Sequence, residues 1–240
     1  MNAPASVRER GIAMVAAMVL AALEDRKTNT RRLLDARHPV HFIGGAGEQS
    51  DLSCWGYHFD GSDQHGWMVL ARGFDERHDH GRVSIPCPYG VPGDRLWVRE
   101  AWRTGVALDS YNATQIAELC VEAGWKKPWT PIIYPADGCT DNADTLRDFG
   151  GAWGRLRAAR FMPRWASRID LRVTDVRIER LQEITEADAR AEGVELFDGS
   201  LAAPLHHVVA FAGLWDAING SRAPWASNPW IWRIAFERVK

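Results

Sequence analysis

Three well-separated segments of alternating apolar and polar residues constrain this chain most. Arg168-Ile169-Asp170-Leu171-Arg172-Val173 alternates strictly, and Val176, Ile178 and Leu181 carry the pattern on beyond Thr174-Asp175. A period of two places successive side chains on opposite faces of a strand, and the change of phase at Thr174-Asp175 marks a bulge. Residues 95–102 alternate as a half-buried strand after a Gly93-Asp94 turn, and residues 230–236 alternate as a terminal strand. Helical stretches separate them. Residues 12–24 are apolar with no breaker after Gly11 and predict a buried helix of about three turns. Residues 113–123 predict a second helix, with a short strand at 132–134. Thr185-Glu186-Ala187-Asp188 reads as the capped start of a short helix that ends at Gly193. Residues 204–218 suit an amphipathic helix closed by Asn219-Gly220. Few strands interleaved with short helices predict an α+β fold, a small mixed β-barrel with helices at its rim.

Two tracts interrupt this pattern. Residues 35–92 are rich in Gly, His, Asp and Pro and read as a loop-rich insertion with one strand at 67–71. Residues 105–160 form a second irregular insertion. No internal repeat is present, and at 240 residues the expectation is a single decorated domain over 1–240.

A formal net charge of −2 excludes a global field of the kind that marks strongly basic nucleic-acid binders. The average hides an asymmetry. Residues 155–180 hold eight arginines against three acids, and residues 181–200 hold six acids against Arg190 alone. A basic strip followed by an acidic one suggests a polarised site, although solvated faces carry such runs more often. The four cysteines, 54, 87, 120 and 139, are scattered, so a disulfide framework is not expected and a reducing compartment fits. The apolar run after Arg8 and Arg10 is too short to span a bilayer and leads into charges in place of a cleavage site. The expectation is a cytoplasmic protein without a membrane partner.

Residues 24–32, Glu-Asp-Arg-Lys-Thr-Asn-Thr-Arg-Arg, set Lys27 three positions before Thr30, flanked by Arg26, Arg31 and Arg32. If the helix continues, positions i and i+3 share a face; in a strand Lys27 and Thr30 would point to opposite sides. The plain alternative is that the cations cap a helix C-terminus.

The segment Asp25-x-Lys27-x-x-Thr30-x-Arg32 resembles the Gly-x-Lys-x-x-(Glu/Thr)-x-Arg signature of the ASCH domain, a family of PUA-like β-barrels. Three further segments resemble larger ASCH-like proteins of bacteriophage and prophage genomes: residues 87–100 (Cys-Pro-Tyr-Gly-x-Pro-Gly-Asp-Arg-Leu-Trp-Val-Arg-Glu), residues 162–169 (Met-Pro-Arg-Trp-Ala-Ser-Arg-Ile) and Asn228-Pro229-Trp230-x-Trp232. The resemblance covers about residues 12–239. Two departures stand out: Asp25 replaces the opening Gly, and Ala17 stands where a proline is frequent. If the Gly ended the helix in a left-handed turn, Asp25 must adopt that conformation, which acidic and amide residues do better than most.

The resemblance implies two kinds of activity, binding of RNA or modified bases and removal of the acyl group from N4-acylcytidine. In the amidohydrolases a Lys and a Thr of the signature act with a later Glu, which by pattern falls on Glu192. Lys27 would be base, Thr30 nucleophile, and Glu192 acid/base or orienting group. No metal or other cofactor is called for. Burial and neighbouring arginines would lower the Lys27 pKa and Glu192 would raise it, and the sequence does not rank the two. The substrate expected is a small-molecule N4-acylated cytosine nucleoside. The alternative is a non-catalytic RNA or modified-nucleotide module using Arg31, Arg32, Arg164 and Arg168 with Trp165; a ribonuclease ranks lower.

Around this core, Arg26 joins the substrate-binding candidates, as do Tyr134 and Asp137, which match a Tyr-x-Ala-Asp-Gly recurring in the related phage proteins. Of the twelve tryptophans, 97, 102, 230 and 232 read as core, whereas Trp165, Trp125 and Trp129 are candidates for stacking on a base. His78-x-His80 and His206-His207 lack a further ligand at metal spacing.

Overall fold

The computed structural model describes residues 7–34, 87–196 and 206–239, together with the backbone of three strands between 55 and 85. It is a mixed α+β structure. Its main sheet comprises β1 (Glu9–Ala13), β2 (Asn29–Leu33), β6 (Arg95–Arg99), β9 (Asp170–Arg180) and β10 (Trp230–Arg238). The order is β1-β6-β9-β10-β2, with β1 parallel to β6 and the other pairs antiparallel. Separately, β3 (Trp55–His58), β4 (Trp67–Ala71) and β5 (Arg82–Ile85) form an antiparallel meander, and β7 (Ile132–Tyr134) with β8 (Cys139–Asp141) forms a hairpin.

Alternation along β10 builds two cores. Trp230, Trp232, Ile234 and Phe236 enter one cluster with Leu171, Val173 and Val176 of β9 and Met18 and Val19 of α1 (Ala16–Leu23). Ile231, on the opposite face, packs with Phe211 and Trp215 of α4 (His207–Asn219) and Ala189 of α3 (Glu186–Ala191). Fully burying each large apolar side chain contributes about 1.5–3 kcal/mol, so this two-sided sheet is the main source of stability. The expected bulge is present: Asp175 pairs with Ala235 and Val173 with Phe236, leaving Thr174 without an opposite partner.

Several expectations are corrected. The described strands form an open sheet, not a closed barrel. Its edges, β1 and β2, are joined through α1, and across the gap the Arg32 guanidinium donates to the Ala13 carbonyl at 2.6 Å. The helix expected over 12–24 is shorter, because Ile12 and Ala13 are drawn into β1 by parallel pairing with β6 and Val15 is extended at φ −77°, ψ 160°. The strand expected over 95–102 ends at Arg99; Trp102 bridges instead to Arg157. Strand β4 lies where one strand was expected, but β3 and β5 flank it. The second insertion is also better ordered than its composition suggests. There α2 (Ala113–Glu122) starts with a capping box between Asn112 and Gln115, and Trp102, Ile116, Ile132, Tyr134 and Met162 share a core cluster.

Candidate active site

The α1 helix ends in a Schellman motif. The Arg26 N–H bonds the Ala21 carbonyl at 2.9 Å and the Asp25 N–H the Ala22 carbonyl at 3.2 Å, with Asp25 left-handed at φ 57°. Asp25 thus occupies the conformation that a Gly would adopt without cost, and the exposed Arg238 pairs with its carboxylate. The Lys27 N–H also bonds Ala21, and the Thr28 N–H bonds the Ala191 carbonyl at the end of α3. The short link between α1 and β2 is therefore fixed from both sides, and it sets Lys27 against the residue that follows α3.

That residue is Glu192. Lys27 Nζ donates to Glu192 Oε2 at 2.6 Å and to the Glu192 main-chain oxygen at 2.9 Å. Both side chains are buried. Gly193, at φ +79°, makes the approach feasible: a Cβ there would lie 2.5 Å from Ala21 Cβ and 3.1 Å from Lys27 Cβ. The Arg31 guanidinium, fully buried, completes the cluster, donating to Glu192 Oε1 at 3.3 Å and to Glu179 at 2.7 Å, with Asp188 at 3.5 Å. Asp188 and Glu192 of the acidic strip, with Glu179 just ahead of it, therefore supply the counter-charges for Lys27 and Arg31.

Burial lowers the Lys27 pKa. Desolvation is the largest influence; Glu192 opposes it through charge and hydrogen bonding, and Arg32 and Arg31 reinforce it. The balance left open by the sequence falls toward an amine that loses its proton more readily than an ordinary lysine.

Lys27, Thr30, Arg31, Arg32 and Glu192 line one cavity of about 240 Å³ at the free edge of β2. Thr30 is buried, and its hydroxyl has no hydrogen-bond partner among the described residues. The turn or last helical turn that the catalytic reading requires across 27–30 is absent, since the chain turns at residues 24–25 and is in strand from 29. The helix stops at Leu23, and Lys27 reaches the cavity from the link ahead of the strand, so the opposite-face rule for strands does not apply to it. Both amine hydrogen bonds go to Glu192, none to Thr30. The Nε donors of Arg31 and Arg32 are buried without partners among the described residues. β2 is an edge strand whose partner among the described strands is β10, so alternate main-chain groups along it face away from β10.

The opposite wall comes from α4: Phe211, Leu214, Trp215 and Ile218 line the cavity. The sequence reading missed these as site residues. Their signal was the apolar face of the amphipathic helix, which reads equally well as ordinary core.

The remaining candidates lie outside this lining. Arg26 pairs with Glu24 and Glu195. Arg168 makes two-pronged pairs with Glu100 (2.8 and 2.9 Å) and Asp137 (2.8 and 3.1 Å) and lies 4.1 Å over the Tyr134 ring. Tyr134 is buried, donating to the Ala166 carbonyl. Burial raises the Glu100 pKa, with Arg168 opposing. This second cluster locks residues 100, 134, 137 and 168 together. Arg164 is paired with Glu9 and Asp170, and Trp165 packs edge-on against Trp102 at 5.9 Å, an inward role in place of a free stacking platform. Of the other stacking candidates, Trp125 is exposed and meets Trp129 edge-on.

Among the described residues no group of three His, Cys, Asp or Glu side chains is placed to hold a metal, and no helix is long and apolar enough to cross a membrane. His206 and His207 each lie 3.6 Å from Glu186; His78 and His80 fall outside the described residues. The chain matches no family model, no curated protein and no solved structure.

Proposed function

We propose that this protein is an amidohydrolase of the ASCH, PUA-like type that removes the acyl group from N4-acylated cytosine nucleosides. One observation carries the reading: a buried lysine, deprotonated more easily than usual, shares a small cavity with a buried threonine and a buried glutamate. A buried ion pair is weak evidence for stability, because desolvation offsets most of its attraction. Its placement in a cavity beside a nucleophile type favours chemistry.

In this mechanism the neutral Lys27 amine takes the Thr30 hydroxyl proton as the oxygen attacks the acyl carbonyl. The oxyanion of the tetrahedral intermediate is stabilised by the free Nε donors of Arg31 and Arg32 and by outward main-chain N–H groups of β2. Collapse breaks the C–N bond while the Lys27 ammonium returns its proton to the exocyclic nitrogen, releasing cytidine and leaving an acyl ester on Thr30. Water, deprotonated by the same amine, then attacks the ester and frees the carboxylic acid and the hydroxyl. Glu192 holds the amine through both steps and accepts its charge when it is protonated. Phe211 and Trp215 offer apolar faces for the pyrimidine. The cavity is smaller than the roughly 300–1,000 Å³ of drug-sized ligand sites, which suits one acylated base.

Ultraviolet spectra of N4-acetylcytidine and N4-benzoylcytidine change on deacylation, which provides the test. Turnover by the wild type, reduced at least 100-fold in Lys27→Met, supports the reading; no turnover of either compound by folded wild type rejects it.

A further inference from the structure

A larger cleft of about 830 Å³ lies beside the candidate active site. Among the described residues five arginines line it, and no aspartate or glutamate does. Two of the five are engaged: Arg157 donates to the carbonyls of Tyr111 and Leu108, and Arg164 pairs with Glu9 and Asp170. Arg99, Arg155 and Arg160 have no carboxylate partner among the described residues. Aromatic surface is interleaved with them, since Arg99 lies 4.5 Å over Trp97 and Arg160 4.6 Å over Phe161, itself 58% exposed.

Two walls join this cleft to the small cavity. Ala159 lines the cavity, whereas Ala158, Arg160 and Phe161 line the cleft. Ala13, which lines the cavity, is the register partner of Arg99, which lines the cleft, and the Met14 N–H bonds the Arg99 carbonyl. The cleft and the cavity are therefore neighbours along the chain at 158–161 and across the β1–β6 pairing.

We propose that the cleft holds the sugar-phosphate chain of a single-stranded polynucleotide, so that the acylated cytosine is processed within a strand in preference to the free nucleoside. This rests on the deacylase reading. Unpaired guanidiniums neutralise phosphates, and aromatic faces between them accept flanking bases irrespective of sequence. An acidic peptide would use the charges but not the interleaved rings.

The test compares N4-acetylcytidine, its 5′-monophosphate and a short single-stranded oligonucleotide with one central N4-acetylcytidine, using wild type, Arg155→Ala/Arg160→Ala and Phe161→Ala. The expected result is a kcat/KM at least tenfold higher for the oligonucleotide than for the nucleoside. The variants should remove that advantage and leave nucleoside turnover unchanged. A preference for the monophosphate as large as that for the oligonucleotide would reduce the cleft to a single-phosphate site and overturn the polynucleotide assignment; equal kcat/KM for all three would overturn it outright. If no substrate is turned over, the deacylase reading fails and the cleft is tested by itself, through the fluorescence anisotropy of a labelled unmodified oligocytidine. Binding that weakens tenfold or more in Arg155→Glu/Arg160→Glu is expected. Three phosphate contacts predict a log–log salt slope of about −2 for a single strand. No binding, no effect of charge reversal, or equal competition by polyglutamate would overturn the assignment.

Discussion

Lys27 Nζ lies 2.6 Å from Glu192 Oε2 and 2.9 Å from the same residue's main-chain oxygen, with both side chains buried. The amine is thus held by one residue through two acceptors, while Arg31 holds that residue's other carboxylate oxygen. Removing Glu192 takes a carboxylate partner from Lys27 and from Arg31 alike, whereas removing Lys27 leaves Glu192 still paired with Arg31.

Glu192→Ala is therefore expected to destabilise the fold by about 3–5 kcal/mol, the usual cost of breaking a buried pair from one side. Lys27→Met/Glu192→Leu should recover much of that loss without restoring deacylation. Chemical denaturation measures the first effect and ultraviolet turnover the second. A double variant no more stable than Glu192→Ala would contradict this account of the pair.

The lowered Lys27 pKa fixes a pH dependence. The folded state releases the Lys27 proton more readily than the unfolded chain, whose reference value is 10.5. Between the folded value and 10.5 the unfolded state binds more protons, so stability from this group rises with pH and is lost as pH falls through the folded value. Denaturation series should show this rise below pH 10.5 in wild type and its absence in Lys27→Met. The ascending limb of kcat/KM should likewise fall below the ordinary lysine range.

Backbone conformation gives a third expectation. At φ 57° Asp25 bears a strain that Ala would feel more, so Asp25→Ala should cost about 1–2 kcal/mol and Asp25→Gly close to nothing. The exposed pair with Arg238 adds little either way. Thermal unfolding of both variants checks the order, and equal losses would assign the effect to the salt bridge.

Gly193→Ala meets both a left-handed backbone and a Cβ contact of 2.5 Å with Ala21. It should destabilise by about 2 kcal/mol or more and displace Glu192 from Lys27. Denaturation reads the first effect; the second is read as a rise of stability with pH that begins at a lower pH than in wild type, because Lys27 loses the carboxylate that raises its pKa.

Much of the fold was legible because period-two patterns survive tertiary context where both strand faces are buried. The core positions of β9 shift from odd (Leu171, Val173) to even (Val176, Ile178) across one bulge, and that shift is visible in the residues themselves. The α3 cap was legible because Thr185 and Asp188 supply both halves of a local capping box. Strand β1 was not, since Glu9–Ala13 is defined by a parallel partner some 86 residues away and its end merges with the apolar run of α1. The fates of Arg164 and Arg168 were equally hidden: their partners Glu9, Glu100 and Asp137 are distant in sequence, so engaged arginines looked like free ones. The aromatic wall from α4 exists as a site only because α4 packs beside the edge of β2.

The most direct test of the central claim is turnover of N4-acetylcytidine by Thr30→Ala beside wild type, with intact folding verified for both. The mechanism predicts steady deacylation by wild type and a loss of at least 100-fold in Thr30→Ala, with the wild-type peptide containing Thr30 gaining the mass of one acetyl group after rapid quenching. Full turnover by Thr30→Ala would contradict the assignment of Thr30 as nucleophile.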